Sequence, residues 1–597
     1  MKRFLQVFYV IFSAALLSLA IPNELFHFGS PFLAPAALVP LYIACSRFSS
    51  YTEAALLTGM HAMCVHLLSS YWLAFFKDFA AFTLGASALG TGAIGAVFGL
   101  ALYLPSARET PSRRLEHSSV PSRTACPPFR AFWFAAVYTL YEWVKSCGFL
   151  GYPWGTVSSA MIRWRLLIQI ADITGTYGVT FLAALFAAAA GEGLSLLPTL
   201  SRSMNARMVA AQYARTAAAF CALLSCTFLY GAFRYLRPGR PVKYLNAVLV
   251  QQNADPWQQS SDNPTILVSQ KLTEDRLEEA RRDGKTVDLV VWSEGCLKYS
   301  FPRAASHYAH FPAERPLIPF IQECGVPFLL GGSYRPDGQD GAMNAALLFD
   351  GGGNFRGAYG KNHLVPFAEV VPFASIPAVS GFLKKAVGIS AGWMPGDQYV
   401  YFDVRAHNPI ERRLPPVKVI SLAQTAEEQE AAGAARPFVR LCAPICFDDA
   451  FPDVCRPFAQ NGAELFMNIT DDSWSRTKSS EYQHFAVALY RAVELRTTLA
   501  RSCNSGYSAV IDPAGRIVAD MPLFEEASLF CHIPIYNRKA TVYLRLGNWL
   551  PYTILALVLA EGVRQFLARN SPDEVPSERG KLEKIAAKLR RRRRRRK

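Results

Sequence analysis

The feature that most constrains this chain is the uneven distribution of long apolar segments along its 597 residues. A membrane-spanning helix needs about 20 predominantly apolar residues. Between about 233 and 545 the apolar runs are short and are separated by turn residues, which is typical of strands. Windows that reach or approach the spanning length occur at 4–22, 31–46, 53–76, 85–105, 128–147, 175–197, 214–232 and 548–567.

Composition agrees with a membrane protein that also has a folded domain outside the bilayer. Hydrophobic residues make up 51% of the chain and charged residues only 18%, where soluble chains carry about 25%. This excludes a disordered chain, a coiled-coil rod and a small disulfide-rich scaffold. We expect a seven-helix membrane domain at 1–232, a catalytic domain at 233–545, an eighth spanning helix at 546–568 and a basic tail at 569–597.

Orientation is predicted from the basic residues of the short loops, because Lys and Arg concentrate on the cytoplasmic side. Arg163 and Arg165 count against a cytoplasmic N-terminus, but the balance favours it. The domain at 233–545 would then lie outside the cytoplasm and the tail inside. The supporting residues are Lys2, Arg3, Arg47, Arg108, Arg113, Arg114, Arg123, Arg130, Arg202, Arg207 and Arg215.

Two alternatives concern the ends of the chain. Residues 1–20 resemble a cleaved signal peptide in their basic start and apolar run, although more apolar windows follow at once. The net charge is +16, and the last eight residues, 590–597, are all basic. Such a run can bind nucleic acid, but no other nucleic-acid motif occurs, and an anchor at an anionic membrane surface is the preferred interpretation.

The 13 cysteines do not predict a metal site. No pair has Cys-x-x-Cys spacing, and no histidine cluster has the spacing of zinc ligands. The odd number in the catalytic domain leaves at least one thiol without a partner there. The domain cysteines are Cys296, Cys324, Cys442, Cys446, Cys455, Cys503 and Cys531, and those in or near the spans are Cys45, Cys64, Cys126, Cys147, Cys221 and Cys226.

Three segments of the domain carry groups suited to catalysis. Glu294 follows the strand-like run 287–292, Lys361 follows a turn, and Cys446 ends another apolar run. Alone, each has an ordinary structural interpretation: a helix-capping carboxylate, a surface charge and a buried core thiol. Together they supply a base, an oxyanion stabiliser and a nucleophile.

These segments resemble the nitrilase superfamily, whose members carry Glu, Lys and Cys in this order, and the whole chain resembles the apolipoprotein N-acyltransferase family. The resemblance implies an αββα sandwich beside the multi-span helical domain. It also implies Glu294 as general base, Lys361 as oxyanion stabiliser and Cys446 as nucleophile. The stretches that carry it are 151–155 (GYPWG), 250–253 (VQQN), 292–294 (WSE), 361–369 (KNHLVPFAE), 468–474 (NITDDSW), 491–494 (RAVE) and 504–506 (NSG).

The resemblance also implies supporting residues. Glu369 matches a second essential glutamate, Trp257 a tryptophan near the site entrance, and Phe447 and Asp448 follow the nucleophile. The chain departs from the family in three places. It reads Ser293 before Glu294, where Pro is frequent. It has Asp448 where Glu is commoner. It has an Ala-, Glu- and Arg-rich insertion at 407–437.

The implied activity is acyl transfer from a phospholipid to the α-amino group of a diacylglyceryl-cysteine apolipoprotein, by a ping-pong route through a Cys446 thioester. No cofactor, metal or nucleic acid is expected, and the enzyme would act as a monomer in the bacterial inner membrane with its catalytic domain in the periplasm. The alternatives are a membrane-anchored nitrilase-type hydrolase or amidase and a non-catalytic scaffold.

Two further features are open to either a functional or a structural interpretation. The segment 373–382 begins and ends with phenylalanine and could form a lid that reaches toward lipid, or it could simply pack. Glu142 and Lys145 lie within an apolar window, where polar groups are functional by default. Their spacing of three residues also permits a helix-surface pair, which is the preferred interpretation.

Overall fold

The computed structural model describes residues 2–76, 81–104, 127–200, 206–237, 239–255, 257, 261–370, 381, 392–405, 419–421, 438–537 and 539–570. Several sequence predictions fall outside this part of the chain. They concern Arg108, Arg113, Arg114, Arg123, Cys126, Arg202, the basic tail, the lid segment apart from Gly381, and all of the 407–437 insertion except 419–421.

The N-terminal part is a helical bundle, and each predicted apolar window overlaps a helix. The bundle also contains 3₁₀ turns at Tyr71–Phe75, Ser158–Met161 and Leu167–Ile170 and a π-turn at Ala81–Ala86. The helices are α1 Lys2–Ala20, α2 Leu33–Cys45, α3 Tyr51–Ser69, α4 Ser87–Tyr103, α5 Pro127–Lys145, α6 Ala171–Thr174, α7 Thr176–Leu200 and α8 Ala206–Leu236, with α15 Trp549–Asn570 near the C-terminus.

Five of the described helices, α1, α4, α7, α8 and α15, are long and apolar enough to cross a membrane. Helix α2 is apolar but has only 13 residues. Helix α1 packs into the bundle, since Val10, Ala14 and Leu17 are fully buried. Gly95 and Gly99 of α4 approach α3 too closely for any side chain, the close packing that small residues allow between membrane helices.

Glu142 and Lys145 of α5 bind the loop that follows this helix. Glu142 Oε1 accepts a hydrogen bond from the Val157 amide at 2.7 Å, and Lys145 Nζ donates to the Trp154 carbonyl oxygen at 2.8 Å. Both side chains are buried, so the prediction of a helix-surface pair is wrong. Their contacts support a structural role, which is to fix the loop that carries Trp154.

The described residues between 241 and 536 contain two seven-stranded sheets. The first has the order β14-β1-β2-β4-β5-β6 with β3 beside β4, and the second has the order β13-β12-β11-β10-β9-β7-β8. The strands are β1 Pro241–Gln251, β2 Leu289–Trp292, β3 Leu297–Phe301, β4 Phe328–Tyr334, β5 Met343–Phe349, β6 Phe355–Gly360, β7 Tyr401–Arg405, β8 Val419–Ser421, β9 Phe438–Cys442, β10 Leu465–Thr470, β11 Thr498–Cys503, β12 Ala509–Ile511, β13 Ile517–Asp520 and β14 Ala527–Tyr536.

The two sheets pack face to face, with helices on their outer faces. One hydrophobic core joins β1 and β2 to β9 and β10, and a second joins the other face of the first sheet to its helices. β2 is buried along its whole length, as its continuous apolar sequence predicts, and β10 is also fully buried although it contains Asn468 and Thr470. The helices are α9 Asn263–Arg282, α10 Ala305–Tyr308 and α11 Leu317–Cys324 on the first sheet, α12 Pro452–Gln460 and α13 Lys478–Leu495 on the second, and α14 Val542–Leu546 before α15.

Helix α13 joins the catalytic domain to the membrane domain. Every residue from Ser479 to Leu495 except Tyr482 is buried, although the helix is rich in polar side chains. Gln483 Nε2 donates to the carbonyl oxygens of Pro22 and Ser69, each at 2.9 Å, and the Tyr490 hydroxyl donates to the Ser158 carbonyl at 2.8 Å. The helix is therefore covered by the sheet on one side and by membrane-domain loops on the other.

Candidate active site

Lys361 lies immediately after β6, and its ammonium group is buried between two carboxylates. Its Nζ is 2.8 Å from Glu369 Oε1 and 3.1 Å from Glu294 Oε1. Burial alone would lower the pKa of Lys361, but the two carboxylates outweigh burial and hold this pKa well above its ordinary value. The lysine therefore keeps its charge and can donate to an oxyanion.

Glu294 lies two residues after β2, and both of its carboxylate oxygens accept hydrogen bonds. Oε1 accepts from Asn344 Nδ2 at 2.6 Å, and Oε2 accepts from the Asp471 amide at 2.8 Å. Burial raises the pKa of Glu294 to about 7, against the opposing effect of the Lys361 charge. A carboxylate with this pKa is suited to take and return a proton near neutral pH.

Glu369 completes the group around the lysine. Its Oε1 also accepts from Asn344 Nδ2 at 3.0 Å, and its Oε2 accepts from the Val365 amide at 2.8 Å. Asn344 of β5 thus donates to both glutamates. Because these bonds fix Glu369 relative to both Lys361 and its loop, the geometry supports the orienting role that the sequence implied.

Cys446 lies at a sharp turn beside the second sheet. It begins the 3₁₀ turn Cys446–Ala450 that follows β9, and its φ of 45° is in the left-handed region, which is uncommon for a residue other than glycine. Such backbone strain clusters at active sites. Burial and the charge of Glu294 raise the pKa of the Cys446 thiol well above its ordinary value, while Lys361 lowers it. The resting thiol is therefore protonated and needs a base.

Asp448 links the nucleophile turn to the lysine segment. One carboxylate oxygen accepts from the Tyr359 hydroxyl at 2.9 Å and the Ile445 amide at 3.1 Å, and the other accepts from the His363 amide at 2.7 Å. Burial raises the pKa of Asp448 to about 6. The shorter aspartate thus makes three bonds in the position where the family more often has glutamate.

The loop before Glu294 is held by hydrogen bonds where a proline ring is frequent in the family. Gln252 Nε2 donates to Ser293 Oγ at 2.6 Å, and the Cys296 thiol donates to the Ser293 carbonyl at 2.9 Å. All three residues are buried. These contacts supply a restraint that the sequence alone does not reveal.

The supporting aromatic residues lie where the catalytic domain meets the membrane domain. The Phe447 ring stacks on Trp154 with ring centroids 5.2 Å apart. Trp257 is 38% exposed. Its indole N–H donates to the Trp474 carbonyl oxygen at 3.1 Å, and its ring contacts Phe76 at 5.7 Å. Trp257 therefore lies at an outer rim, consistent with a place near the entrance.

A buried histidine beside the nucleophile was not singled out by the sequence analysis. His484 Nδ1 lies 2.8 Å from Asp472 and its Nε2 lies 2.9 Å from Asp449. Asp472 falls within the stretch 468–474 quoted above. No sequence signal marks His484, because its partners lie 12 and 35 residues away along the chain.

Cys446, Asp472 and His484 also offer three donor atoms within 4.8 Å of one another, a spacing that could hold a metal ion. The surroundings do not fit a cation. Both imidazole nitrogens already contact carboxylates. The guanidinium of Arg501 also lies 3.6 Å from Asp472. We therefore assign no metal to this cluster.

Comparison with known proteins agrees with the fold. Residues 248–540 match the carbon-nitrogen hydrolase family, and residues 13–189 match the apolipoprotein N-acyltransferase N-terminal domain. The catalytic part is thus a carbon-nitrogen hydrolase domain. The chain as a whole belongs to the apolipoprotein N-acyltransferase family, which confirms the family, the fold class and the enzyme class predicted from the sequence.

The relatives cover almost the whole chain. Apolipoprotein N-acyltransferase 2 of Treponema denticola is 38% identical over 94% of this chain and 97% of its own length. Apolipoprotein N-acyltransferase 2 of Treponema pallidum is 37% identical over 92% of this chain and 93% of its own length. Among solved structures, a carbon-nitrogen hydrolase from Helicobacter pylori G27 is 17% identical over 53% of this chain and 94% of its own, with a TM-score of 0.32.

Proposed function

We propose that this enzyme transfers an acyl chain from a membrane phospholipid to the α-amino group of the N-terminal diacylglyceryl-cysteine of apolipoproteins. The family supports lipoprotein N-acylation. The observation that carries the chemistry is the buried Lys361 between Glu294 and Glu369, in electrostatic interaction with Cys446 at its strained turn. This arrangement supplies a charged oxyanion donor, a base with a pKa near neutrality and a nucleophile.

The first half-reaction forms a thioester. Glu294 takes the proton of the Cys446 thiol, and the thiolate adds to the ester carbonyl of the phospholipid. The Lys361 ammonium donates to the resulting oxyanion, an effect of about 3–4 kcal/mol for one donor. The carbon–oxygen bond breaks, and Glu294 gives its proton to the leaving oxygen of the lysophospholipid. The acyl group stays on the Cys446 sulfur.

The second half-reaction uses the same residues in the same order. The free amine of the acceptor adds to the thioester carbonyl, and Glu294 takes a proton from the nitrogen. Lys361 again donates to the oxyanion. The carbon–sulfur bond breaks and the sulfur regains the proton from Glu294. The products are an amide on the acceptor and the resting thiol.

The cellular setting is a further part of the proposal. The five helices of spanning length and the bacterial relatives support a bacterial membrane protein. The basic residues of the loops support a cytoplasmic N-terminus and a periplasmic catalytic domain in the inner membrane. Both substrates are anchored in lipid, so a domain held on the membrane through α13 would meet them there. A monomer is sufficient for this arrangement.

The proposal is tested by following both products in one assay. The enzyme in phospholipid vesicles, mixed with a synthetic diacylated lipopeptide, should release lysophospholipid and N-acyl peptide in equal amounts. Cys446→Ala should release neither, and Cys324→Ala, a substitution at the end of α11, should behave as wild type. Free fatty acid without acylated peptide would indicate the hydrolase instead, and transfer by Cys446→Ala would contradict the proposed nucleophile.

A further inference from the structure

The Cys446 thiol has a second charged neighbour besides the group around Lys361. Its Sγ lies 4.0 Å from Asp472 Oδ1, and both oxygens of that carboxylate lie 2.8 Å from His484 Nδ1. The imidazole continues to Asp449 through Nε2. A chain of contacts therefore runs from the nucleophile through Asp472 and His484 to the turn that holds the nucleophile.

The charges of this chain balance only when the imidazole is protonated. Arg501 forms an ion pair with Asp449 and lies 3.6 Å from Asp472. With two carboxylates, one guanidinium and a protonated imidazole, the buried group is neutral. Burial alone would lower the pKa of His484, but Asp472 and Asp449 outweigh it and raise this pKa to about 9.

A further carboxyl group on α13 does not disturb this balance. Glu481 lies one turn before His484, and within the described structure neither of its buried oxygens has a hydrogen-bond partner. Burial, followed by the charges of Asp472 and Asp471, raises the pKa of Glu481 well above its ordinary value, which favours the neutral form. The indole of Trp154 covers the imidazole at 5.6 Å from the membrane-domain side. The groups that face His484 are thus Asp472, Asp449, Arg501, Cys446 and the Trp154 ring.

We propose that His484 and Asp472 are positioning residues for Cys446. Asp472 would orient the thiol, and the imidazolium of His484 would offset the negative charge that Asp472 places beside the forming thiolate. This inference deepens the proposed function, since it concerns the same nucleophile. It adds a second set of charges to the set around Lys361, and one member of this second set, His484, lies on the helix that joins the two domains.

The test measures the nucleophile itself and does not depend on acyl transfer. Full-length enzyme in detergent is treated with iodoacetamide over a range of pH, and mass spectrometry follows alkylation of the peptide that contains Cys446. His484→Gln removes one of the two positive charges that offset Asp472 and Asp449, so the midpoint of the alkylation profile should rise by about one pH unit and alkylation at pH 7 should slow about tenfold. His310→Gln, an exposed histidine substitution, should leave the profile unchanged.

A second variant distinguishes the charge effect from a loss of packing. In the double variant His484→Gln, Asp472→Asn the midpoint should fall back below that of His484→Gln, because the opposing charge is gone. Asp472→Asn alone should also lower it, and this arm serves if His484→Gln does not fold. An unchanged profile in His484→Gln would overturn the inference. So would a midpoint of Asp472→Asn above that of the wild type, or a midpoint of the double variant above that of His484→Gln. If the alkylation profiles shift as expected but the wild-type enzyme transfers no acyl group, the result would instead count against the proposed function.

Discussion

Around Lys361, two carboxylates share one ammonium, so the proton affinity of each group depends on the other two. Glu294 and Glu369 both contact its Nζ, and both accept from Asn344. The sequence could predict Glu294 and Lys361 because each belongs to a short stretch that resembles the family, and Cys446 because it ends an apolar run. It could not predict Asn344 or His484, because no local sequence pattern marks them and only the folding of the chain brings them to the site.

The pH dependence of the reaction reports on Glu294. Since the base must be ionised and its pKa is about 7, kcat/KM should rise as the pH increases through about 7. Glu369→Gln removes a negative neighbour that raises the pKa of Glu294, so the rising limb should move to lower pH. The measurement is the pH profile of kcat/KM for both proteins. A limb that stays in place, or moves to higher pH, would contradict the assignment of Glu294 as the base.

At the scale of elements, the turn after β9 and the segment after β6 are held together by one side chain. Asp448 accepts from the Ile445 amide beside the turn, from the Tyr359 hydroxyl of β6 and from the His363 amide of the segment after β6. The sequence predicted an apolar strand before Cys446, but before Lys361 it predicted a turn, where the structure has the end of β6. It did not predict how the shorter aspartate would bond, because its donors come from two separate parts of the chain.

Asp448→Ala should lower the free energy of unfolding, because buried donors lose their acceptor at about 1–3 kcal/mol each. It should also lower kcat by loosening the turn at Cys446. Tyr359→Phe removes the hydroxyl donor itself and leaves no donor without an acceptor. It should therefore lower the free energy of unfolding by less, about 1 kcal/mol. Thermal unfolding in detergent, with kcat measured on the same preparations, checks both. Equal stability of the two variants would show that Asp448 does not link the turn and the segment.

At the scale of the whole molecule, α13 connects the nucleophile to the membrane domain. Its Gln483 and Tyr490 bond membrane-domain loops, while His484 lies beside the active site. Each of the eight apolar windows identified in the sequence overlaps a helix of the described structure. They did not predict that a polar helix would be buried all round, because that depends on how the two domains meet.

The predicted topology can be tested with two reporter cysteines. Lys285→Cys, on an exposed turn of the catalytic domain, should react with a membrane-impermeant maleimide in intact spheroplasts. Arg47→Cys, in the loop between α2 and α3, should react only after the membrane is opened. Mass spectrometry of the labelled peptides separates the reporters from the natural cysteines. The reverse pattern would place the catalytic domain in the cytoplasm.

The central claim is that an acyl group passes through the Cys446 sulfur. Intact-mass analysis of the purified enzyme after incubation with one defined phospholipid tests it most directly. The account predicts an added mass of one acyl chain that hydroxylamine removes, that a diacylated peptide discharges and that Cys446→Ala lacks. An adduct that Cys446→Ala retains, or the absence of any adduct from an enzyme that still acylates the peptide, would contradict a covalent Cys446 intermediate.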